Sequence, residues 1–430
     1  MKVPVVVVGA GACGLVAALA ARHAGKEVLI LERDHTPSGS TALSSGFVPA
    51  ALTRFQRAAG VEDSPELMAA DVQRKNHHQA DEKIVHAVCR ASGPAIEWLA
   101  DEHGVPFELV HGFLYPGHSA LRMHSVPERT GASLLAALLR ACGGIDMLCS
   151  ATVTQVTGRS VGFRRPDGVT EEVDYDALVL ACSGFGGNKT MVREHLPEIA
   201  DALYFGHAGN QGDAVRWGHP LGAAVKDMSA YQGHGSVATP HGILITWALM
   251  TEGGIQVNAE GRRFSNEHLG YSEQCLPVLQ QPGGYAWCIY DERLHQLGMT
   301  FPDYRDAHAA GAIRLAPDLP FLEETLVNVA HYADGARDPF GRDFTTKPKL
   351  QKPLYAVKVT GALFHTQGGL IVDERARVLD AKGRPVPKLF AGGGAACGIS
   401  GAHVWGYLSG NGLLSAVTLG RIAGVSAAAG

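Results

Sequence analysis

Three glycines and a glutamate near the start of the sequence have the types and spacing of a dinucleotide-binding site. Gly9, Gly11 and Gly14 form a GxGxxG pattern, and Glu32 lies 18 residues beyond Gly14. The first glycine permits a tight turn, the second lets the backbone approach a pyrophosphate, and the third lets a helix pack closely on a strand. A glutamate at this distance accepts hydrogen bonds from ribose hydroxyls. These residues predict the binding of a nucleotide cofactor.

The segments around the glycines have the patterns that such a site requires. The β-branched run "VPVVVV" (3–8) predicts a fully buried strand, and a helical segment follows it as far as Gly25. A second strand, "EVLILE" (27–32), ends at Glu32. Because the N-terminus of the helix faces the phosphates in such a unit, we predict a Rossmann-like β-α-β arrangement here.

Two later segments repeat the pattern of a buried strand followed by glycines. They are "DALVLACSGFGG" (176–187) and "PKLFAGGG" (387–394), and the loop "SGSTALSSGF" (38–47) adds small residues at a second phosphate-and-ring position. Three glycine-ended strands that return to one site, the last of them near the C-terminus, fit a long ligand with two ends. This pattern favours FAD over NAD.

The strand-and-glycine pattern lapses between about 233 and 359. This stretch contains the helical segment "FLEETLVNVAHYA" (321–333) and a long polar loop, which together indicate an inserted domain. We predict an α/β fold: a Rossmann-like FAD-binding domain in two parts (1–232 and 360–430) with an α+β cap domain (233–359) that carries substrate contacts. The small-residue tail "SAAAG" (426–430) is expected to fray.

Composition excludes several classes of protein. The net charge is -5 and basic blocks are short, so nucleic acid is not an expected partner. The apolar run at the N-terminus is broken by glycines, and no other segment has the roughly 20 unbroken apolar residues of a membrane span. We therefore expect neither a cleaved signal peptide nor stable membrane insertion.

The eight cysteines are scattered singly, without a CxxC motif. This spacing argues against iron–sulfur clusters, structural zinc and a dithiol redox centre. A reducing compartment is the simplest interpretation, and we expect a cytoplasmic protein. The stretch "NHHQADE" (76–82) is interpreted as a solvated helix face rather than a set of metal ligands, so no metal site is predicted.

Several stretches resemble the flavoprotein family of fumarate reductase, succinate dehydrogenase and the 3-ketosteroid dehydrogenases. They are "GSTALSSG", "ACSGFGGN", "GNQGDAVR", "TEGGIQVNAEGRRFSNE", "FHTQGGL" and "LSGNGLLSAVTLGRIAG", in the family's order and over nearly the whole chain. The resemblance implies a two-domain flavoprotein whose mobile cap closes on substrate over the flavin. The motifs and the resemblance together predict these cofactor-binding residues: Gly9, Gly11, Ala12, Cys13, Gly14, Glu32, Arg33, Ser40, Thr41, Ser45, Gly46, Val153, Ser183, Gly184, Asp213, Gly393, Gly394, Gly410, Asn411 and Leu413.

The sequence departs from the family at two cofactor positions. The glutamate that usually contacts the ribityl chain is Gly394 here, so the residue that holds this chain is not given by the resemblance. The loop "GSTALSSG" lacks the histidine to which succinate dehydrogenase links its flavin. We therefore expect FAD to be bound non-covalently.

The resemblance also implies a set of substrate-binding and catalytic positions. His234, Thr251, Glu252 and His365 match the residues with which fumarate reductases grip dicarboxylates.

Two further positions, where that branch has arginines, hold tyrosines here. Tyr271 lies four residues after the Asn-Glu pair of "NEHLGY" (266–271), and Tyr407 lies in "WGYLSGNG" (405–412). Losing two charge-assisted, often bidentate contacts argues against a dicarboxylate substrate. The 3-ketosteroid dehydrogenases resemble this sequence at both positions.

Two tyrosines can serve the oxidation of a C–C bond beside a ketone. Tyr407 can donate its hydroxyl to the ketone oxygen, aided by N–H groups of the following glycine-rich loop, as in an oxyanion hole. Tyr271 can take the α-proton as a phenolate while a hydride leaves the β-carbon for flavin N5. Since free tyrosine has a pKa of about 10, the site must favour the anion. His365 and a helix N-terminus are the candidate groups.

Three functions follow from this reasoning. The first is an FAD-dependent dehydrogenase, or in reverse an enone reductase, for an alicyclic or steroid-like ketone, with an unidentified electron acceptor. The second is a fumarate reductase-like oxidoreductase of a small carboxylic acid, with Arg122, Arg262 or Arg263 in place of the lost arginines. The third is a flavin-binding protein without turnover. Arg122 and His124 are also candidates to line the pocket.

Overall fold

The chain forms two large β-sheets and two small ones, surrounded by helices, in a computed structural model that describes residues 2–430. The strands are β1 (Lys2–Val8), β2 (Val28–Leu31), β3 (Val48–Pro49), β4 (Glu108–Leu109), β5 (Met123–Ser125), β6 (Asp146–Leu148), β7 (Thr152–Val156), β8 (Ser160–Arg164), β9 (Thr170–Leu180), β10 (Leu203–Tyr204), β11 (Val225–Lys226), β12 (Tyr231–Ala238), β13 (Ile243–Leu244), β14 (Ile255–Val257), β15 (Tyr285–Asp291), β16 (Ile313–Leu315), β17 (Leu354–Thr366), β18 (Gly369–Leu370), β19 (Arg377–Leu379) and β20 (Pro385–Ala391). The α-helices are α1 (Ala12–His23), α2 (Gly39–Ala42), α3 (Arg54–Ala58), α4 (Pro65–Lys75), α5 (Glu82–Asp101), α6 (Gly131–Ala141), α7 (Lys189–His195), α8 (Asp213–Gly218), α9 (Ala248–Thr251), α10 (Cys275–Leu279), α11 (Glu292–Gly298), α12 (Pro302–Ala309), α13 (Leu322–Ala333) and α14 (Asn411–Ala428). Within residues 2–430, no helix combines the length and apolar character needed to cross a bilayer.

The first large sheet has a parallel core in the order β20-β9-β1-β2-β6. Strand β19 adds an antiparallel edge, and the β7–β8 hairpin joins β9. Val8 pairs with Leu180, and Leu180 pairs with Ala391, so β1, β9 and β20 end side by side. This register confirms the prediction that three glycine-ended strands return to one site.

The turn between β1 and α1 explains why two of its residues are glycines. Gly9 has a φ of +104°, and a Cβ on Gly14 would lie 1.8 Å from the carbonyl oxygen of Gly9. Helix α1 therefore begins at Ala12 in close contact with the end of β1, and its N-terminus points across the carboxyl edge of the sheet.

Helix α14 packs against α1 over much of its length. A Cβ on Gly424 would lie 2.2 Å from the carbonyl oxygen of Ala17, so glycine permits the close approach. The prediction that residues 426–430 fray is wrong for residues 426–428, because α14 continues to Ala428. Ala427 and Ala428 are buried, and this packing holds the last turn.

The second large sheet has the order β13-β12-β17-β15-β14, with β10 and β16 also paired to β17. Helix α13 lies at the predicted position beside it. Strand β17 runs across the predicted domain boundary at 359/360, and β12 runs across the one at 232/233. The second sheet thus includes residues from both sides of each predicted boundary. The bounds of the cap domain stay a prediction.

Candidate active site

A cavity of about 280 Å³ extends from the carboxyl edge of the parallel sheet to residues of the predicted cap. Seventeen of the predicted cofactor residues line it: Gly9, Gly11, Ala12, Cys13, Glu32, Arg33, Ser40, Thr41, Ser45, Gly46, Val153, Ser183, Asp213, Gly393, Gly394, Gly410 and Leu413. Gly14, Gly184 and Asn411 do not line it. Gly14 packs on Gly9, Gly184 packs on the hydroxyl of Thr366, and Asn411 donates to Ser400 at 3.2 Å.

The nucleotide end of the cavity is held together by side-chain bonds to the backbone. The carboxylate of Glu32, at the end of β2, accepts hydrogen bonds from the N–H groups of Ala10 (2.7 Å) and Asp34 (2.9 Å). The hydroxyl of Thr41 accepts from the N–H of Ala12 at 3.0 Å. These bonds fix the glycine turn and the 38–47 loop against one another, as the binding of a dinucleotide requires.

Polar atoms without partners test whether a flavin nucleotide fits the cavity. Ser415 Oγ and Trp217 Nε1 both belong to cavity-lining residues, are buried, and have no hydrogen-bond partner within residues 2–430. Buried polar groups are normally paired, so both atoms fit contacts to a bound polar ligand. A Cβ on Gly394 would lie 2.9 Å from the N–H nitrogen of Gly184, so this position has no room for a side chain. Ser415 supplies an unpaired hydroxyl to the cavity that Gly394 also lines, and the residues present fit FAD.

The loop that carries Tyr271 is anchored by a buried charge cluster of Arg263, Glu267, Asp338 and Arg342, here called the Glu267 cluster. The Glu267 carboxylate accepts from Arg263 Nε (2.9 Å) and Nη2 (2.7 Å), from Arg342 Nη1 (3.1 Å) and from the N–H of Gln256 (3.1 Å). Burial opposes ionisation of Glu267, but Arg342 and Arg263 lower its pKa to about 2. Glu267 of "NEHLGY" thus anchors the loop four residues before Tyr271.

Tyr271 lies in an aromatic cluster at the cap end of the cavity. Its ring stacks on His234 at 4.5 Å between centroids, and it lies 6.2 Å from Tyr407 and 6.1 Å from Tyr115. Burial, together with Tyr407 and Tyr115, raises the pKa of Tyr271 well above its ordinary value. Contrary to the expectation, the protein groups around Tyr271 thus oppose the phenolate and favour the neutral phenol.

Tyr407 is oriented by the start of helix α14. The N–H of Gly412 donates to Tyr407 Oη at 3.2 Å, so the Tyr407 O–H is directed toward another acceptor. The expected oxyanion hole had backbone N–H groups donating beside Tyr407. Here the Gly412 N–H donates to the Tyr407 oxygen itself. Burial raises the pKa of Tyr407 to about 12, which keeps it a donor at neutral pH.

His365 stands edge-on to Tyr407, with ring centroids 5.5 Å apart. Its Nδ1 accepts from the side-chain amide of Gln367 at 2.9 Å, which assigns the ring proton to Nε2. Burial lowers the pKa of His365 to about 4, so the ring is neutral and does not stabilise a phenolate by charge. A neutral His365 can donate from Nε2 into the cavity.

The other three predicted substrate residues divide between the cavity and the structure behind it. His234 lines the cavity, and its Nδ1 has no partner within the described chain. Thr251 and Glu252 do not line it: Thr251 Oγ1 donates to the Trp247 carbonyl at 3.2 Å, and Glu252 pairs with Lys347 at 2.8 Å. These contacts direct both side chains away from the cavity.

Several residues that line the cavity were not predicted from the sequence. Tyr115, Trp247 and Asp303 all line the cap end of the cavity. Trp247 Nε1 is buried and has no partner within residues 2–430. Tyr115 ends the apolar stretch "FLY" (113–115), a local signal of an apolar wall but not of a position beside Tyr271.

The arginines considered as substitutes for the missing ones do not line the cavity. Arg122 is fully buried and paired with Asp63, at 2.8 Å, and with Asp71. His124 Nδ1 is hydrogen-bonded to the carbonyl oxygen of Arg122. Arg263 belongs to the Glu267 cluster, and Arg262 lies over the ring of Phe321 at 3.4 Å. Among residues 2–430, the arginines that do line the cavity are Arg33 and Arg129, and no lysine does.

Curated relatives match nearly the whole chain. A probable fumarate reductase from Shewanella frigidimarina is 29% identical over 448 residues, which cover 99% of this chain and 74% of that protein. The 4-oxocyclohexanecarboxylate 2-dehydrogenase of Sinomonas cyclohexanicum is 25% identical over 535 residues, covering 98% of this chain and 92% of that protein. Relatives of this chain thus include enzymes named for fumarate and for a cyclic keto acid.

Solved structures and a family model agree with these relatives. The open conformation of a flavocytochrome c3 fumarate reductase has a TM-score of 0.82 at 28% identity, covering 100% of this chain and 78% of that one. The 3-ketosteroid-Δ4-(5α)-dehydrogenase from Rhodococcus jostii RHA1, in complex with 4-androstene-3,17-dione, has a TM-score of 0.79 at 25% identity, covering 99% and 97%. A family model described as "FAD binding domain" matches residues 4–413. The chain belongs to this FAD binding domain family, and it is a flavoprotein oxidoreductase whose cofactor is FAD.

Proposed function

We propose that the protein acts on the C–C bond beside a ketone in an alicyclic or steroid-like substrate. The observation that carries this proposal is the pair Tyr271 and Tyr407, which line the same end of the cavity with ring centroids 6.2 Å apart. Two phenols can bind a ketone and exchange one proton with carbon, but they hold a carboxylate only weakly compared with arginines.

Each tyrosine has one role in this reaction. Tyr407 donates its O–H to the ketone oxygen, and the Gly412 N–H, which donates to the same phenol oxygen, strengthens that donation. Tyr271 holds the proton that the α-carbon exchanges. When bound, FAD supplies the site that gives or accepts the hydride at the β-carbon.

The protonation of Tyr271 supports the reductive direction. Burial raises the pKa of Tyr271 and so favours the neutral phenol, which is the form that donates a proton to the α-carbon of an enone. Operation as a dehydrogenase needs the phenolate, which the buried protein groups around Tyr271 disfavour. The fold neighbour with a bound steroid ketone and the relative named for a cyclic keto acid are consistent with a substrate that carries a ketone.

Reduction of a small unsaturated carboxylic acid is the second candidate function. The fumarate reductases among the relatives favour it. Its weakness is the cap end of the cavity, where the histidines are neutral: burial lowers the pKa of His234 to about 3 and that of His365 to about 4. The three arginines proposed to bind a carboxylate are engaged elsewhere.

A panel of oxidants tests the proposal. Photoreduced holoprotein is mixed under anaerobic conditions with 2-cyclohexenone, a steroid enone, fumarate and urocanate, and flavin reoxidation is followed by absorbance. The enones are expected to reoxidise the flavin. Fumarate acting alone would establish the second candidate, and no reoxidation by any compound would indicate a flavin-binding protein without turnover.

Replacing Tyr271 tests its role in the same assay. Tyr271→Phe is expected to bind FAD and ketone but to slow enone-dependent reoxidation by about 100- to 10,000-fold, the contribution of a general acid or base. The matched control is Tyr355→Phe, whose hydroxyl bonds to Glu292 outside the cavity. A Tyr271→Phe protein as fast as the control would refute the proton-transfer role.

A further inference from the structure

A carboxylate at the cap end of the cavity has no part in the proposed chemistry. Phe301, Pro302 and Asp303 line the cavity where helix α12 begins. Helix α12 packs against β13, whose Leu244 also lines the cavity. Asp303 is therefore placed in the wall by the packing of the helix.

Asp303 lies on a different part of the wall from the two catalytic tyrosines. A series of aromatic contacts links Tyr271 to Tyr115 (6.1 Å), Tyr115 to Phe113 (5.0 Å) and Phe113 to Phe301 (5.5 Å), measured between ring centroids. Tyr115 and Phe301 of this series line the cavity, with Phe113 packed behind them, so a ligand that reaches Asp303 from the tyrosines passes aromatic side chains.

Among residues 2–430, no cation pairs with the Asp303 carboxylate. Burial, and then the like charge of Asp306, raise the pKa of Asp303 to about 6. No hydrogen bond or cation of residues 2–430 contributes to that shift. A half-buried carboxylate without a partner costs free energy.

Support of the helix N-terminus does not account for this position. An acid in the first turn stabilises a helix modestly when it is exposed to solvent. An exposed carboxylate in the first turn would give that stabilisation without the cost of desolvation. The cavity-lining position points instead to a ligand that completes the site.

We propose that Asp303 binds a hydrogen-bond-donating substituent, a hydroxyl or an ammonium group, at the end of the substrate opposite its ketone. This inference rests on the proposed function and narrows the substrate to a ketone that carries such a donor. A carboxylate at the same place is disfavoured by repulsion.

The test is a binding series on oxidised holoprotein, read from perturbation of the flavin absorbance. The probes are 4-substituted cyclohexanones and 17-substituted 3-ketosteroids, each with a hydroxyl, an amine, a hydrogen or a carboxylate as the substituent. The hydroxyl and amine compounds are expected to bind about 10-fold or more tightly than the unsubstituted ketones, the effect of a charge-assisted hydrogen bond. The carboxylates are expected to bind most weakly.

Variants assign this preference to one side chain. Asp303→Leu is expected to bring hydroxyl, amine and hydrogen compounds within about 2-fold of one another. Asp303→Asn, which preserves the size of the side chain, is expected to lose about 10-fold in preference for the amine. This variant replaces Asp303→Leu in the test if the leucine variant does not bind FAD. Asp306→Asn, on the exposed side of the same helix, is expected to keep the wild-type order.

The outcomes separate this inference from the proposed function. Wild-type protein that binds and reduces enones without preferring donors, or an Asp303→Leu protein that keeps the preference, overturns the role of Asp303 alone. Failure of every ketone to bind or to reoxidise the flavin overturns both proposals.

Discussion

Replacing Glu267 by glutamine removes the central charge of the cluster that anchors the Tyr271 loop. In the wild type, two arginines face two carboxylates, Glu267 and Asp338. Glu267→Gln preserves the size of the side chain but leaves the buried cluster with one uncompensated positive charge. Burying an unpaired charge is strongly unfavourable, so we expect a large loss of stability from a change of one atom.

The size of this loss follows from the pKa of Glu267. Its pKa falls from the usual 4.5 to about 2 in the folded protein, which corresponds to about 3 kcal/mol at 1.36 kcal/mol per unit. Removal of one partner of a buried ion pair costs a similar 3–5 kcal/mol. With an unfolding entropy of about 2.1 cal/mol/K per residue, a chain of 430 residues loses roughly 3 °C in Tm for 3 kcal/mol.

Thermal and urea unfolding of the holoprotein measure this loss. The control is Glu260→Gln, an exposed glutamate 3.8 Å from Arg262, which is expected to shift the free energy of unfolding by less than about 0.5 kcal/mol. Because folding lowers the pKa of Glu267, its stabilisation is complete above about pH 4.5 and is lost as the pH falls toward 2. The difference between wild type and Glu267→Gln should therefore shrink only below pH 4.5. Equal Tm values for Glu267→Gln and the control Glu260→Gln would refute the anchoring role of Glu267.

Three further predictions concern the cofactor and the ketone. Acid denaturation should release intact FAD into the supernatant, and flavin that stays with the precipitated chain would contradict non-covalent binding. Glu32→Gln should weaken FAD binding by roughly 1–3 kcal/mol in a fluorescence titration, whereas the exposed Glu27→Gln should not; equal affinities would place the ribose contact elsewhere. Tyr407→Phe should slow enone turnover by about 100- to 1000-fold, the effect of losing one oxyanion donor, and a rate equal to that of Tyr355→Phe would leave it a packing residue.

The nucleotide end of the site could be predicted because its requirements are local. Gly9 and Gly14 are needed within one turn, where a side chain would meet the neighbouring backbone. Glu32 closes the next strand along the chain and bonds back to Ala10. Each requirement determines the residue types in a short segment, so residue type and spacing were sufficient to predict this end of the site.

The cap end could be predicted only in part because long-range contacts decide it. Tyr271 and Tyr407 were paired through a family resemblance, and nothing local relates two segments so far apart. Glu252 matched the resemblance but is held by Lys347, 95 residues later, a contact that no motif records. In the sequence, Asp303 has the pattern of an ordinary acid in the first turn of a helix. Only the packing of α12 on β13 places it in the wall of the cavity.

The order of strands in the parallel sheet also has a consequence for biosynthesis. Strand β9 ends at Leu180, but its neighbour β20 begins at Pro385, about 200 residues later, and α14 follows β20. At about 5–20 residues per second, a ribosome needs roughly 10–40 seconds to supply the missing neighbour. During that time the edge of β9 at residues 178–180 and one face of α1 have no native partner, and Gly393 and Gly410 have not yet been made. The nascent chain must keep these apolar surfaces from aggregating until the last tenth of the sequence emerges, and the complete flavin pocket forms only at the end of translation.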